Sequence, residues 1–354
     1  MLTDLLKNGV HAGTDYLVKC PLCGEPYAMH IYPGDVWRCV SCNRSGDEAT
    51  LRELMGDDLM VLADKLNKPK PPEGLIVVSD YIKPRHRDSV PTGFNPLDRM
   101  LGGLAPGMLT VMTGKRGEGK STLAGQMALH MVDAGHRICF YSGELNAGTF
   151  RDWIVNQAAG PKHIESYDDS YGETRYRADQ WIEQRILAWL GDKLILYDNG
   201  IVKSSERNSI LERFTTAQRV YRSDVFVVDN LMTARMPTDS DRDFYRAQSN
   251  FVRDLTEFAI QHDSHVILIA HPRKSSTSDR NDDVAGAGDI TNLASNVMAV
   301  SKKADAEWDS EVEITKNRQY GAIGAIRFNF DRRTRRFILV SGQQVDRLGW
   351  EDEV

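Results

Sequence analysis

Apolar and polar positions alternate in a regular rhythm from about Pro91 onward. Short apolar runs are typical of buried strands, and apolar residues at helical spacing are typical of amphipathic helices. The pattern predicts strands at 109–113, 138–142, 194–198, 225–229 and 266–270, helices at 121–134, 176–190, 204–222 and 243–262, and hairpin strands at 312–316, 325–330 and 336–340. Alternating strands and helices imply an α/β fold with a mostly parallel sheet covered on both faces.

The chain before this region has a different composition. Residues 1–46 are dominated by cysteines, and residues 47–90 combine a helix-like segment with the proline-rich stretch NKPKPPEG and the strand-like stretch LIVVSDYI at 75–82. Prolines and glycine at this density favour an extended linker. We therefore expect a small module at 1–46, a helix and linker at 47–90 that also packs on a neighbouring subunit, and one large domain at 91–354.

The strongest motif is GKRGEGKS at residues 114–121, which fits G-x-x-x-x-G-K-[ST] between a predicted strand and a predicted helix. The glycines let backbone N–H groups surround phosphate oxygens, and the start of the helix adds its positive dipole end. Lys120 should reach the β- and γ-phosphates, and Ser121 should bind Mg²⁺. The predicted nucleotide-binding residues of this loop are Gly114, Gly117, Gly119, Lys120, Ser121 and Thr122.

Three polar residues follow predicted strands on the same edge of the sheet. Asp229 ends the strand VFVVD and is the expected second anchor for Mg²⁺. Glu144 follows the strand ICFYS and is a candidate base for the attacking water. His271 follows HVILIA and could sense the γ-phosphate. A turn or cap residue, a solvated glutamate and a structural histidine are the respective alternatives.

Two C-x-x-C pairs, separated by 15 residues, lie near the start of the chain. Four thiolates at this spacing are typical of a tetrahedral structural Zn²⁺ site, and redox pairs or free thiols are the alternatives. His30 is a candidate additional ligand. The predicted zinc ligands are Cys20, Cys23, Cys39 and Cys42.

Aromatic and basic residues lie between the two cysteine pairs: Tyr27, His30, Tyr32, Trp37 and Arg38. They could stack on the bases of a single strand or form the core of the small module. The sequence leaves both interpretations open.

Three basic segments are candidates for contacts with phosphates. Lys316 and Arg318 share one face after a predicted strand, where they could reach the nucleotide of a neighbouring subunit, or simply line a solvated edge strand. The run at 331–336 is typical of a hairpin tip, with a phosphate contact as the second interpretation. The polar loop 272–292 could contact the DNA backbone or be an ordinary surface loop; its basic residues are Arg273, Lys274 and Arg280.

The formal net charge is −6, which argues against a protein coated by nucleic acid but allows a local basic groove. The N-terminus has no secretory signal, and no apolar run reaches the roughly 18–20 residues that span a bilayer. We expect a cytoplasmic protein without membrane contact (host cytoplasm if viral), in which disulfides are disfavoured. The fifth cysteine, Cys139, lies in an apolar run and should be buried.

Together these residues resemble the ring-shaped helicases related to DnaB, especially the phage primase–helicase and Twinkle branch. The resemblance covers roughly residues 91–342, with motifs that include GKRGEGKS, HPRK, AGAGDITNLASNV and KNRQYG, and the cysteines near 17–46 add a zinc ribbon. It implies a RecA-like core, a hexamer on single-stranded DNA, ATP or another NTP or dNTP with Mg²⁺, and Zn²⁺. It also implies that Glu144 is the catalytic carboxylate, Arg318 a trans-acting arginine finger beside Lys316, and Phe330 the aromatic that packs on the base.

One departure from that branch concerns primer synthesis. Only about 45 residues separate Cys42 from the large domain, far fewer than a TOPRIM catalytic domain needs. We therefore expect no primer synthesis by this chain alone, and expect the ribbon to contact template or a separate primase or polymerase. A compact ribbon-plus-motor chain would suit a phage.

Two further interpretations stay open. RadA-like recombination ATPases also join a Cys₄ ribbon to a RecA core, and they share YSGE and Lys-Asn-Arg segments with residues 141–144 and 316–318. They continue into a Lon-like domain, whereas this chain stops at Val354. The third interpretation is a nucleotide-switched loader or assembly ATPase that does not unwind DNA.

Overall fold

The computed structural model describes residues 2–6, 9–55, 75–76, 78, 88–198, 209–234, 241–271, 288–303 and 307–352. These residues form two compact units, one before and one after the boundary between Pro84 and Arg85. Each unit has its own hydrophobic core.

The N-terminal unit is a five-stranded antiparallel sheet in the order β1-β2-β3-β4-β5. Trp37 is fully buried at its centre and donates a hydrogen bond to the carbonyl of Asp47, so this aromatic belongs to the core. Leu51 of the following helix packs into the same core. The elements are α1 (Leu2–Leu5), β1 (Val10–Ala12), β2 (Asp15–Val18), β3 (Met29–Tyr32), β4 (Val36–Cys39), β5 (Ser45–Asp47) and α2 (Glu48–Met55).

The larger unit is built on a nine-stranded sheet in the order β10-β7-β11-β12-β6-β13-β14-β15-β16. Pairing is parallel from β10 to β13 and antiparallel from β13 to β16, as predicted for a mostly parallel sheet with terminal hairpins. Its strands are β6 (Met108–Thr113), β7 (Ile138–Ser142), β10 (Leu194–Leu196), β11 (Val225–Asp229), β12 (His265–Ile269), β13 (Asn296–Lys302), β14 (Ser310–Asn317), β15 (Gly324–Asp331) and β16 (Arg336–Leu339).

Helices cover both faces of this sheet. They are α3 (Asn95–Leu101), α4 (Lys120–Asp133), α5 (Ala147–Ala159), α6 (Gln180–Leu190), α7 (Ser209–Tyr221), α8 (Asp241–Gln261) and α9 (Gly288–Leu293), with short 3₁₀ helices at Pro161–His163 and Gly349–Glu351. Strand β11 shows the two-sided burial: Val225 and Val227 join the core under α4 and α5, and Phe226 and Val228 join the core under α7 and α8. Successive side chains of a strand point to opposite faces, which explains the continuous apolar run.

The predicted strands are present, with ends that differ by a few residues, but the predicted helix at 176–190 is wrong at its start. A separate hairpin, β8 (Ile164–Asp168) with β9 (Thr174–Ala178), occupies its first residues, and α6 begins only at Gln180. This hairpin is exposed along nearly all of its length, and its only apolar alternation is the short pattern of Tyr176 and Ala178 with arginines in β9. The predicted helical residues 204–208 and most of the strand-like segment 75–82 lie outside the described residues.

Helices α3, α5 and α9 and strand β13 were not predicted, and α9 (Gly288–Leu293) occupies the last residues of the predicted polar loop 272–292. Strand β13 is the element at which the sheet changes direction, because it pairs parallel with β6 and antiparallel with β14. Among the residues that the structure describes, no helix combines the length and apolar character that crossing a bilayer requires.

A buried histidine connects the centre of the sheet to the chain before it. The Nδ1–H of His265 donates to the carbonyl of Ala105 at 2.7 Å, and its Nε2 therefore accepts from the hydroxyl of Thr110 at 2.9 Å. Burial lowers the pKa of His265 to about 4. The neutral ring is thus part of the native structure.

Comparing the parent with His265→Asn should separate the contribution of His265 to the pH dependence of stability from that of all other titrating groups. The folded protein keeps His265 neutral down to about pH 4, whereas the unfolded chain protonates it near pH 6.5, so acid favours unfolding between these values. We expect the parent to have the larger free energy of unfolding at pH 7.5. The difference in this free energy between parent and variant should narrow by about 1.4 kcal/mol per pH unit below pH 6.5. Urea unfolding of both proteins at several pH values measures this gap; a constant gap would contradict the assignment.

Candidate functional site

The loop 114–119 connects β6 to α4 and forms one wall of a cleft of about 570 Å³. Gly117 and Gly119 have φ angles of 77° and 91°, a region that side chains other than glycine rarely adopt. Helix α4 begins at Lys120, whose Nζ donates to the carbonyls of Gly114 at 2.7 Å and Lys115 at 2.8 Å. The predicted loop residues Gly117, Gly119, Lys120, Ser121 and Thr122 all line the cleft.

The charge of Lys120 is held inside this loop. Burial is the largest cause that lowers the pKa of its ammonium, and the nearby carboxylates of Glu118, Asp229 and Glu144 oppose that effect. A largely buried cation that is bonded to loop carbonyls is available to a phosphate that enters the loop. The cradle therefore fits the triphosphate of a nucleotide.

Asp229 ends strand β11, is almost fully buried and forms a hydrogen bond with Ser121, which lines the cleft. Burial raises the pKa of its carboxyl to about 6, and the charge of Glu144 adds to this, whereas a hydrogen bond with Ser121 and the charge of Lys120 lower it. Its Oδ1 has no hydrogen-bond partner among the described residues. A buried carboxylate oxygen beside a serine hydroxyl fits the oxygen ligands that Mg²⁺ requires, and the roles of Ser121 and Asp229 as its anchors stay a prediction.

Glu144 and His271 lie together at the mouth of the cleft, as predicted from their strand ends. The Nε2 of His271 lies 3.7 Å from Oε1 of Glu144, and the side-chain amide of Asn230 contacts both. Burial is the main cause that lowers the pKa of His271, and the charge of Lys120 lowers it further. Asn230 was not identified from the sequence; its only signal is a polar residue directly after the aspartate that ends β11.

Aromatic and basic side chains form the opposite wall of the cleft. Phe330, predicted to pack on the base, lines it together with Trp153 and Arg335. The Arg335 guanidinium lies 3.9 Å from the centre of the Trp153 ring, and burial lowers its pKa. The predicted hairpin tip at 331–336 therefore reaches this site through one residue, while Arg336 is buried and bonds to the carbonyls of Gln157 and Ala158.

One glutamine fixes this wall relative to the phosphate loop. The Nε2 of Gln157 donates to the carbonyls of Thr122 and Arg335, each at 2.8 Å. The start of α4 and the tip of the β15–β16 hairpin are thus bridged by a single amide. Neither Trp153 nor Gln157 carries a sequence motif, so neither was predicted.

Lys316 and Arg318, predicted to act at a neighbouring subunit, do not line the cleft of their own chain. Lys316 Nζ donates to the carbonyls of Thr291 at 2.6 Å and Asn292 at 3.1 Å, and Arg318 also donates to Asn292 at 3.0 Å. Both cations therefore contact the carboxyl end of α9. The predicted DNA-contact residues Arg273, Lys274 and Arg280 lie outside the described residues.

The N-terminal unit brings its four predicted zinc ligands together. The Sγ atoms of Cys20, Cys23, Cys39 and Cys42 all lie within 4.8 Å of one another. Each pair is held by a turn: Gly24 N donates to the carbonyl of Cys20, and Cys42 N donates to Sγ of Cys39. Four sulfur atoms at such distances fit a tetrahedral Zn²⁺ site, which would staple this small sheet together.

The residues between the cysteine pairs divide into two groups. Trp37 belongs to the core, whereas Tyr27 and Arg38 are exposed and Tyr32 is partly exposed. His30 stands apart from the cysteine cluster, with its Nδ1 3.5 Å from the carboxylate of Asp15. Trp37 therefore fits the interpretation as core, and stacking on bases stays a prediction for the exposed side chains.

Comparison with known proteins adds a family match. The family model described as DnaB-like helicase C terminal domain matches residues 89–338, well over half of the chain. Among solved structures, a DnaB-like replicative helicase, studied with its interactions with primase, superposes with a TM-score of 0.59 at 18% identity, covering 72% of this chain and 62% of that one. An isolated ATPase domain superposes with a TM-score of 0.58, also at 18% identity, covering 72% and 92%.

Two curated relatives match this chain over a shorter segment. DNA repair protein RadA of Mycobacterium tuberculosis is 34% identical over 132 residues, which are 36% of this chain and 26% of that protein. RadA of Mycolicibacterium smegmatis is 36% identical over 147 residues, 41% of this chain and 30% of that protein. The matched segment is thus under a third of the length of either relative. The α/β core with its mostly parallel sheet is of the RecA-like type that was predicted.

Purified protein should contain about one tightly bound Zn²⁺ per chain, because four cysteine thiolates saturate the metal. Cys39→Ser removes one ligand, so we expect loss of zinc and faster proteolysis of residues 9–55, with nucleotide binding by the larger unit retained. Metal analysis and limited proteolysis measure these effects. Cys139→Ala, at a buried position outside the cluster, is the matched control and should keep its zinc; stoichiometric zinc in Cys39→Ser would refute the site.

Proposed function

The chain belongs to the family of DnaB-like helicase C-terminal domains, and we propose from this that it is an NTP-driven, hexameric helicase that translocates on single-stranded DNA. Membership of the family implies nucleotide hydrolysis with Mg²⁺. Dependence on DNA and the ring assembly are our proposals. We also propose the phage primase–helicase and Twinkle-like branch, on the motifs HPRK and KNRQYG.

One observation supports turnover above all others: Lys120 and Glu144 line one cleft, and the buried carboxylate of Asp229 lies close to both. The three residues come from separate parts of the chain and influence one another's charge. Phosphoryl transfer needs a group that positions water, a metal anchor and a cation on the phosphates. A protein that only bound nucleotide would not need the first of these.

In the proposed reaction, water attacks the γ-phosphorus and gives a proton to Glu144, the bond to the bridging oxygen breaks, and the nucleoside diphosphate leaves while Lys120 neutralises the phosphate oxygens. Ser121 and Asp229 would hold Mg²⁺, which would supply further charge neutralisation. His271 would sense the γ-phosphate and pass its loss to the loop that follows. That loop carries Arg273, Lys274 and Arg280, which we propose as contacts to the DNA backbone.

The arginine finger that completes the nucleotide site should come from a neighbouring subunit. Arg318 lies outside the lining of its own cleft, in keeping with a role at another subunit's nucleotide. Lys316 would assist beside it. This arrangement makes hydrolysis dependent on assembly.

The N-terminal unit is proposed to contact template or a separate primase or polymerase. Tyr27 and Arg38 are exposed aromatic and basic side chains beside its cysteines. An exposed ring and a guanidinium are suited to stacking on unpaired bases. Zinc would hold the turns on which they stand.

A second candidate function is supported by the curated relatives. The RadA proteins share 34–36% identity with a segment of this chain and are described as DNA repair proteins. A branch-migration motor would act on four-way junctions, whereas a replicative helicase would act on forks with a single-stranded tail. Measuring the unwinding rates of a four-way junction and of a tailed fork with the same preparation separates the two functions.

Single-stranded DNA should stimulate ATP hydrolysis by about tenfold or more, because loop contacts to DNA favour the hydrolysing arrangement. Glu144→Gln should lose hydrolysis by about 10²–10³-fold while still binding nucleotide, since the amide cannot take the proton from water. Steady-state hydrolysis with and without DNA, and binding of a fluorescent nucleotide, test both statements.

Two outcomes would change the proposal. Retained turnover in Glu144→Gln would remove this residue from its role. A rate indifferent to DNA would favour a nucleotide-switched assembly factor with the cysteine-rich unit as its protein-docking part.

Mixing two inactive variants tests whether the finger acts across an interface. Arg318→Ala loses the arginine finger but keeps every residue of its own cleft. Lys120→Ala loses the phosphate-binding lysine of its cleft but keeps the arginine finger. We expect mixed assemblies to recover part of the activity, in proportion to the interfaces that pair an intact cleft with an intact finger. Glu144→Gln mixed with Lys120→Ala is the control that should stay inactive, and the absence of recovery with Arg318→Ala would argue against action in trans.

A further inference from the structure

Asn230 is fully engaged by hydrogen bonds at the mouth of the cleft. Its Nδ2 lies 2.5 Å from Oε1 of Glu144 and 3.2 Å from Nε2 of His271. Its Oδ1 accepts from the backbone N–H groups of Met232 and Thr233, at 2.9 and 3.2 Å. Because only the oxygen can accept from these backbone donors, the NH₂ group must face the carboxylate and the imidazole.

The amide thus joins the two groups that were predicted to act on the γ-phosphate. One N–H serves the carboxylate and the other serves the ring nitrogen, so a single buried side chain determines both positions. The side chain of Glu144 is otherwise about half exposed to solvent (53%). Without the amide, its carboxylate would sample several rotamers.

The same structure holds Lys120 in a comparable way, bonded to carbonyls of its own loop. The cation for the phosphates and the base for the water are therefore both bound to the protein's own atoms in this state. A carboxylate oxygen that accepts a hydrogen bond from an amide is a weaker acceptor for the proton of a water molecule.

We propose that Asn230 is a positioning residue that restrains Glu144 until His271 moves with bound nucleotide and DNA. The proposal rests on the proposed function, because it takes Glu144 as the base. Movement of His271 toward a γ-phosphate would release one N–H of the amide and let the side chain turn away from Glu144. The restraint would keep hydrolysis low in a subunit without DNA.

Asn230→Asp removes the amide donor and also places a carboxylate that repels Glu144, and Thr233→Val, which adds no charge, separates these two effects. The aspartate keeps an oxygen for the N–H groups of Met232 and Thr233 but replaces the NH₂ that holds Glu144. We expect the DNA-free hydrolysis rate to rise about tenfold, the factor expected for loss of one hydrogen bond to a charged group. The DNA-saturated rate and the KM for ATP should stay within about twofold, so the stimulation ratio should fall by about tenfold.

Two further variants keep the test decisive. Met232→Leu changes the same turn at a largely exposed side chain and leaves the amide in place, so its stimulation ratio should equal that of the parent. Thr233→Val removes the hydroxyl that bonds to the backbone of Asn230, at 2.9 and 3.2 Å, and should lower the ratio in the same direction as Asn230→Asp. It serves the test even if the aspartate variant fails to fold.

The outcomes distinguish this proposal from the function on which it rests. A parent protein without DNA stimulation, or an active Glu144→Gln, would overturn the proposed function. If both behave as proposed but Asn230→Asp and Thr233→Val keep the parental ratio, the restraint is refuted. Equal losses of the DNA-free and DNA-saturated rates would also refute it, because they would show that Asn230 supports the active geometry.

Discussion

Parallel strands that end at one level bring distant parts of a chain to the same place, and the cleft depends on this constraint. In the sheet, Asp229 pairs with Ser142 on one side and with Ile269 on the other, and Ile269 pairs with Met112. Glu144, Asn230, His271 and Gly114 each follow one of these strand ends by one or two residues. Close packing on both faces fixes the register of the strands, because a slip would move each side chain into a space shaped for another one. The chemistry is therefore positioned by packing far from it.

Much of this arrangement could be predicted because its signals are local. The phosphate loop is a contiguous motif, and continuous apolar runs define β7, β11 and β12, so the residues that follow them were assigned to one edge. The cysteine spacing likewise identified a cluster whose sulfur atoms do come together. In each case the local sequence alone contains the residues that determine the local structure.

The rest could not be predicted because its reasons are contacts between remote segments. Asn230 acquires its position from Glu144 and His271, and Gln157 from the two carbonyls that it bridges. Neither residue type is informative without its partners. The prediction missed the β8–β9 hairpin for a different reason: its strands are almost entirely exposed, so the sequence gives only a weak signal, the alternation of Tyr176 and Ala178 with charged residues.

The hydrogen bonds from Lys316 and Arg318 to the carboxyl end of α9 have a thermodynamic consequence for assembly. In the isolated subunit both cations are already satisfied by the carbonyls of Thr291 and Asn292. If Arg318 reaches a neighbour's nucleotide, those carbonyls must find new partners, and α9 follows directly on the segment proposed to contact DNA. Two binding events that compete for or release the same helix end are linked, and linkage is reciprocal. DNA bound to one subunit would then change the nucleotide affinity of the next subunit, and that nucleotide would change the DNA affinity by the same factor.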